Sequence, residues 1–184
     1  SLQSRYIDDK KYLDMFNESR GRIKSMALVH DKLYQSDDIT RIDVQDYVKS
    51  LAENVQLSYC DSDKEVKLNI NVDEINLDID NLVPCGLIIN ELLTNSFKHA
   101  FNEQENPEIT VTMTKLDDGN ISLSISDNGI GLPEGFDISN PTGLGHKLVK
   151  PLIDQIEGTM EVKAGKGAEF RFIFPEKVEI ARAD

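Results

Sequence analysis

Residues 91–99 read ELLTNSFKH and lie inside a longer run, 81–101, that is rich in apolar residues. Asn81, followed by Pro84 in the first turn, is typical of a helix start, so we expect a helix over this run. At helical spacing the polar side chains fall on one edge. That edge carries Glu91, Asn95, Lys98 and His99. A solvated helix face explains such an edge, but an acid and an amide one turn apart also suit a divalent cation.

The chain after this helix changes from helical spacing to period two. Apolar residues at 109, 111 and 113 alternate with threonines, and those at 121, 123 and 125 alternate with serines. A turn at 117–120 separates the two runs, which predicts a β-hairpin. The remaining elements are a loop rich in Gly and Pro, a helix, and a second hairpin turning at Gly165-Lys166-Gly167, expected at 128–142, about 144–156 and 159–174.

The chain before this helix predicts two more helices and two short strands. Residues 10–35 carry apolar side chains on interlocking heptad positions, which suits packing in a helical hairpin. Asp43, with Asp46 three residues on, predicts the start of a second helix. Strand-like runs follow at Val66–Val72 and Ile75–Ile79. Helices combined with antiparallel hairpins predict an α+β fold: a two-layer α/β sandwich preceded by a long helix.

Charge and composition exclude several classes of protein. The 184 residues carry a formal net charge of -13, which argues against nucleic acid or an anionic membrane surface as the main partner. The longest apolar stretch, 82–89, is far too short to span a bilayer. Cys60 and Cys85 form no metal-binding pattern and favour a reduced, cytoplasmic setting. Because the first residue is Ser1, the sequence suggests a fragment of a longer protein.

Asp127 stands at the end of a predicted strand. It has the parity of Ile125, so its carboxylate points toward the side expected to be buried. Burying an ionised acid costs on the order of several kcal/mol unless a donor pairs with it. The following residues, Asn128-Gly129-Ile130-Gly131, form a turn with two glycines. A turn aspartate explains this pattern. An acid that needs a donor, beside glycines that allow close backbone approach, would also suit a hydrogen bond from the exocyclic amine of a purine.

A third element, Gly143-Leu144-Gly145, opens the helix that follows the loop. Unpaired backbone N–H groups and the positive end of the helix dipole make such a start suitable for an anion. Lys147 in the first turn adds positive charge. The pattern G-x-x-x-x-G-K-[ST] is absent from the sequence, so this is not a P-loop.

Taken in order, these segments resemble the N, G1, G2 and G3 boxes of the Bergerat ATPases. The matching stretches are 91–99, Asp127-Asn-Gly129-Ile-Gly131, Gly143-Leu-Gly145 and Gly165-Lys-Gly167. That superfamily includes gyrase, the heat-shock chaperone ATPase, histidine kinases and mismatch-repair ATPases. The likeness in order, spacing and context extends over about residues 40–175.

The N-terminal helix narrows the resemblance. Residues 22–36, RIKSMALVHDKLYQS, are similar to the second dimerisation helix of a sensor histidine kinase subfamily. The acceptor histidine of that subfamily lies in a His-His-Arg-Val-Lys-Asn-like motif on the preceding helix, and this motif is missing here. His30 lacks the continuation of other acceptor motifs, so we expect a packed or hydrogen-bonded histidine. The resemblance implies a partial dimerisation region over 1–36 and an ATP-binding catalytic domain over 37–184.

The resemblance also implies a role for each site residue. Asp127 would accept a hydrogen bond from the adenine amine, and Asn95 would hold Mg²⁺. Glu91, the general base in the ATPase cousins, would orient the attack or bind water near the metal. Lys98 and His99 would meet phosphate oxygens. The lid, residues 132–142, would be hinged and cradled by Gly129, Gly131, Gly143 and Gly145. The remaining cofactor-binding residues would be Leu144, His146 and Lys147. The implied cofactors are ATP and Mg²⁺. The implied partners are a response regulator receiver domain, an upstream sensor region and a second copy of the full-length protein, with no nucleic acid and no membrane contact within this segment.

The predicted function is transfer of the ATP γ-phosphate to a histidine on an upstream helix, for relay to a response regulator. Two alternatives stay open at this point. One is a decayed, non-catalytic nucleotide-binding module that signals by binding. The other is a Bergerat ATPase or a serine-phosphorylating anti-sigma factor, against which the helix of Ile23–Leu33 argues.

Overall fold

The computed structural model describes residues 10–35, 43–59, 65–101, 105–133, 136 and 144–176; the side chains of 10, 11, 13, 14, 18, 32–35 and 144–147 are not described. These residues form four helices and five strands. In chain order the elements are α1 Lys10–Gln35, α2 Val44–Tyr59, β1 Lys67–Val72, α3 Ile79–His99, β2 Glu108–Lys115, β3 Asn120–Asp127, α4 Leu144–Gln155, β4 Thr159–Gly165 and β5 Gly167–Pro175.

The five strands form one sheet in the order β1-β2-β3-β5-β4. β1 runs parallel to β2, and every other neighbouring pair is antiparallel. A parallel pair needs a crossover connection, and α3 supplies it between β1 and β2. Both predicted hairpins, β2–β3 and β4–β5, are therefore confirmed, and so are the helices at 10–35 and from Asp43.

The core lies between one face of the sheet and the helices. The alternating apolar residues of β2, β3 and β5 are all buried, and they form one cluster with the apolar stripes of α2, α3 and α4. Threonines and serines alternate with them on the other face of β2 and β3. Period-two patterning thus gives the sheet one apolar face for the helices to cover, which is the predicted α+β arrangement.

α2 begins as the sequence predicts and packs closely on α3. The Asp43 carboxylate accepts from the backbone N–H of Asp46 at 3.0 Å. The ring of Tyr47 is fully buried, and a Cβ added to Gly86 of α3 would lie 1.7 Å from its hydroxyl oxygen. Only glycine lets the two helices meet here. Burial raises the pKa of the Tyr47 hydroxyl, and it raises the pKa of the neighbouring Cys85 thiol in the same way.

The predicted start of α3 is wrong by two residues. Asp78, not Asn81, caps the helix, and its carboxylate accepts from the backbone N–H of Asn81 at 2.9 Å. Pro84 therefore lies in the second turn of α3. Asn81 is itself buried, and its amide donates to the carbonyl of Pro175 at 3.4 Å. An aspartate earlier in the chain supplies the cap, and the asparagine tethers α3 to the end of β5.

The second strand-like run, Ile75–Ile79, is not a strand. Ile75 and Leu77 are buried, but they lie in the connection between β1 and α3. The apolar residues alternate there because two alternate side chains of this connecting segment are buried, and not because the segment pairs with another strand. Period two is produced by any extended segment that lies on a core.

α1 packs against α3 and α2. Ser25 and Val29 are buried on its inner side, and Gly21 lies where an added Cβ would be 3.4 Å from the amide oxygen of Asn90 in α3. The outer side exposes large apolar residues, namely Tyr12, Met15, Ile23 and Met26. No helix among the described residues combines the length and the apolar character that crossing a membrane would need.

Candidate functional site

Glu91 lies in the middle of α3 with only 3% of its surface exposed. Both of its carboxylate oxygens accept from the Arg22 guanidinium of α1. Nε donates to Oε1, and Nη2 donates to Oε2 at 3.1 Å. A carboxylate this deeply buried is stabilised by a bidentate partner of opposite charge. The structure therefore places Glu91 at the contact between α1 and α3, a contact that the sequence did not predict.

The other residues of the polar edge continue along α3 in the predicted order. Asn95 and Lys98 are half-buried, and His99, the last residue of the helix, is exposed. The Lys98 ammonium lies over the ring of Tyr59, 5.6 Å from its centre. That ring stacks on Phe97 at a centroid distance of 6.4 Å. The aromatic ring at the end of α2 thus holds Lys98 beside α3, and the edge opens progressively from Glu91 to His99.

Asp127 is the last residue of β3, and its half-buried carboxylate is held by neutral donors. Oδ2 accepts from the Ser96 hydroxyl at 2.9 Å. Oδ1 accepts from the backbone N–H groups of Gly129 at 3.0 Å and Ala168 at 3.3 Å. Ser96 belongs to α3 and follows Asn95. The first of these bonds attaches the strand-end acid to α3 one residue after Asn95 of the polar edge.

The glycines after Asp127 are in close contact with other backbone segments. A Cβ at Gly129 would lie 2.3 Å from the carbonyl oxygen of Ala100, at the end of α3. Gly131 has a φ of +80°, and a Cβ there would lie 2.5 Å from the carbonyl oxygen of Gly165. Only glycine fits either position. They fix the start of the loop after β3 against α3 and the second hairpin; their predicted part in cradling a nucleotide stays a prediction.

An aromatic pair lies near the end of β3. The Phe136 ring meets the Phe170 ring edge to face, with centroids 6.3 Å apart. Phe170 stands on β5, opposite Ile125 and two residues beyond Ala168. Because Asp127 is opposite Ala168, Phe170 is two residues from the partner of Asp127 along β5, and with Phe136 it forms an apolar wall near the end of β3. A flat apolar surface beside a polar anchor is the usual composition of a pocket for a heterocycle.

The beginning of α4 lies where the sequence predicts it. The backbone of Leu144, Gly145, His146 and Lys147 forms the first turn of the helix. Gly143 lies outside the described residues, as do the side chains of these four. Their predicted contacts with phosphate therefore stay a prediction.

A cavity of about 310 Å³ lies between α1, α2 and α3. It borders α3 at Asn90 and Thr94, whereas Asp127 meets α3 at Ser96. Thr94 and Ser96 are two residues apart and so lie on nearly opposite sides of the helix. Asp127 is not among the residues that line the cavity, which therefore lies on the other side of α3. Its rim carries the exposed side chains of Arg20 and Lys24.

Several residues of the site carried no clear signal in the sequence. They are Arg22, Tyr59, Ser96, Phe136 and Phe170. A phenylalanine in a loop of Gly, Pro and polar residues was the detectable sign for Phe136. Arg22 and Ser96 act through partners far away in the chain, which local patterns do not reveal. Within the described residues, no three His, Cys, Asp or Glu side chains are grouped so that they could hold a metal ion.

Comparison with known families defines the class of the protein. The family model described as "Histidine kinase-, DNA gyrase B-, and HSP90-like ATPase" matches residues 80–178, and a model described as "Histidine kinase" matches residues 1–59. The chain belongs to the first of these families, which binds ATP. The second match covers α1 and α2, so the two matches together bear out the resemblance to the ATP-binding catalytic region of sensor histidine kinases.

Two curated relatives agree with this assignment. The chain is 23% identical to blue-light-activated histidine kinase 2 of Erythrobacter litoralis, over 82% of this chain and 44% of the relative. It is 26% identical to the sensor histidine kinase PdtaS of Mycobacterium tuberculosis, over 88% of this chain and 32% of the relative. The chain thus spans less than half the length of either.

The structural likeness concerns the fold. The histidine kinase domain of a blue-light-activated histidine kinase from Erythrobacter litoralis superimposes with a TM-score of 0.78 at 20% identity, over 86% of this chain and 75% of that one. A longer structure of that kinase gives a TM-score of 0.80 at 21% identity, over 92% and 52%. The predicted α+β fold with a preceding long helix is confirmed.

Proposed function

We propose that this chain binds ATP with Mg²⁺, and that the whole protein transfers the γ-phosphate to a histidine on a helix upstream of α1. A response regulator receiver domain then takes the phosphate from that histidine. The observation that carries the proposal is the Asp127 carboxylate, held at the end of β3 by Ser96 of α3 and by two backbone N–H groups.

The hydrogen bonds of Asp127 leave room for an adenine amine. A carboxylate offers about four acceptor positions. The described residues fill both positions on Oδ1 and one on Oδ2. One position on Oδ2 is left for a further N–H donor, and the Phe136–Phe170 wall lies near the end of the same strand. An amine on a flat aromatic base matches this combination of one acceptor and an apolar surface.

The same geometry is compatible with Mg²⁺ brought in by the nucleotide. Mg²⁺ usually takes one or two protein oxygens and fills its other positions with phosphate oxygens and waters. Asn95 offers one amide oxygen, half-buried on α3 and adjacent to Ser96. A site with this single protein ligand therefore fits the described residues. The bound ion would neutralise charge on the phosphates, and Lys98 and His99 would meet phosphate oxygens further along α3.

In this proposal the chain's residues act by positioning and by charge. Phosphoryl transfer asks a protein for alignment and neutralisation and for little covalent chemistry of its own. Asp127 anchors the adenine, Asn95 fixes the metal end, and the start of α4 faces the phosphates with its N–H groups. The γ-phosphorus bonds to a nitrogen of the acceptor histidine while its bond to the β–γ bridging oxygen breaks, and ADP leaves with that electron pair.

The outer face of α1 supports a dimer of the full-length protein. Tyr12, Met15, Ile23 and Met26 recur at helical spacing and are 42–67% exposed. Four large apolar side chains on one face of a helix are suited to packing against other helices. His30 is exposed on the same side of α1. An upstream sensor region and a cytoplasmic location, where ATP is supplied, complete the proposal.

A transfer assay tests the proposed function directly. The chain is mixed with γ-labelled Mg·ATP and a separate protein that carries a His-His-Arg-Val-Lys-Asn-like acceptor helix. We expect phosphate on that protein that is labile in acid and stable in base. Asn95→Ala should reduce transfer on the order of 100-fold, because it removes the protein ligand of the Mg²⁺ that neutralises charge on the transferring group, while binding of metal-free ATP is kept. Nucleotide binding without any transfer would instead favour the non-catalytic module.

A further inference from the structure

The Arg22–Glu91 pair occupies the position where a site for ATP hydrolysis would need an open base. Glu91 lies one helical turn before Asn95, the residue placed at the metal end of the nucleotide in the proposed function, on which this inference rests. The side chains of Glu91 and Arg22 are 3% and 15% exposed. The guanidinium binds both carboxylate oxygens, and α1 covers them from solvent.

A carboxylate at this place would promote hydrolysis if it were open. In that reaction a water oxygen bonds to the γ-phosphorus, and the bond to the β–γ bridging oxygen breaks, its electron pair leaving with ADP. The proton of the water passes to the carboxylate and then to solvent, and inorganic phosphate is released. A positioned general base of this kind contributes about 10²–10⁴ in rate. Two oxygens held by a guanidinium and shielded from water cannot take that proton.

We propose that Arg22 is a positioning residue that determines specificity: it withholds Glu91 from water and so directs the site toward phosphoryl transfer and away from ATP hydrolysis. Arg22 belongs to α1, so the N-terminal helix supplies the residue that closes off Glu91 in the catalytic domain. Two neighbouring contacts hold α1 in register over α3. Gly21 lies against Asn90, and the next residue of each helix forms the Arg22–Glu91 ion pair.

The test is the rate of phosphate release from Mg·ATP by the chain itself, without an acceptor protein. Arg22→Ala should raise this rate at least about tenfold, since it frees a general base. The double variant Arg22→Ala/Glu91→Gln should return to the rate of the unaltered chain, because the freed group can no longer accept a proton. Arg20→Ala is the matched control: it removes an exposed arginine two residues away on the same helix and should leave the rate unchanged.

Nucleotide binding is measured in parallel, so that the two proposals fail separately. An unaltered chain that binds no Mg·ATP contradicts the proposed function. An Arg22→Ala chain that binds Mg·ATP and hydrolyses it no faster overturns the role of Arg22, and so does a double variant that stays fast. If Arg22→Ala does not fold, Arg22→Gln, which is shorter than arginine but keeps one N–H donor group, is compared in the same way. Loss of nucleotide binding in both folded variants also overturns the inference, because Arg22 is assigned no part in binding.

Discussion

Asp127, which bonds to α3, and Glu91, which lies on α3, are two carboxylates with different partners. The comparison shows how one acid is kept available for a ligand and the other is closed off. Asp127 is held by a hydroxyl and two backbone N–H groups, which are neutral and leave one acceptor position of its carboxylate unused among the described residues. Glu91 is held by a guanidinium, which cancels its charge and occupies both oxygens. Neutral donors hold a carboxylate in place and leave it able to bind a ligand. A buried partner of opposite charge shields the carboxylate from solvent and from ligands.

Breaking the close backbone contacts around Asp127 should have the largest effect. Gly167 has a φ of +90°, and a Cβ there would lie 1.9 Å from the carbonyl oxygen of Asp127. Gly167→Ala should therefore destabilise the fold by about 3 kcal/mol, from the unfavourable φ and a clash with backbone that cannot move freely. Urea unfolding measures this change.

Gly119 is the matched control for that substitution. It also has a positive φ, +81°, but no atom lies within 4 Å of an added Cβ. Gly119→Ala should cost only about 1 kcal/mol, the price of the backbone conformation alone. Equal costs at the two glycines would show that the turn of the second hairpin does not approach Asp127 closely.

The two sides of this comparison were unequally predictable from the sequence. Asp127 could be predicted as a site residue because alternation at period two is a local pattern, and this pattern placed its carboxylate on the side of the sheet that faces the helices. Its partner Ser96 and the Arg22–Glu91 pair were not found, since contacts between residues 31 and 69 apart in the chain leave no local trace. The same limit explains the wrong strand prediction at Ile75–Ile79. The local alternation correctly indicated buried residues, but a local pattern cannot show whether a second strand is available for pairing.

Reversing the hydrogen-bonding character of Asp127 should have the next largest effect. Asp127→Asn keeps an oxygen for the N–H groups of Gly129 and Ala168 but puts an amine where the adenine amine would donate. ATP affinity should fall by about 10- to 100-fold, the value of a hydrogen bond to a charged group. ITP, which carries an oxygen at the position of that amine, should lose far less or bind better.

The ratio of the two affinities is the decisive measurement. Calorimetric titration of both nucleotides into both proteins gives it without any acceptor protein. A parallel loss of ATP and ITP binding would mean that the substitution disturbed the site as a whole. An unchanged ATP affinity would remove Asp127 from adenine recognition and leave Ser96 and the two backbone donors as a purely structural cap of the strand end.

The smallest expected effect concerns stability and compares the closed pair with an open one. Lys150 and Asp154 form an ion pair one turn apart on α4, with side chains 58% and 57% exposed. Solvent screens such a pair, so Lys150→Gln should change the free energy of unfolding by less than about 0.5 kcal/mol.

Arg22→Gln leaves Glu91 with at most one donor in a closed contact, so it should cost about 1–2 kcal/mol. Added salt should weaken only the exposed pair, because screening acts through solvent. If both substitutions cost the same, and salt affects both alike, α1 does not hold Glu91 closed in solution, and the difference drawn between the two carboxylates would be one of exposure alone.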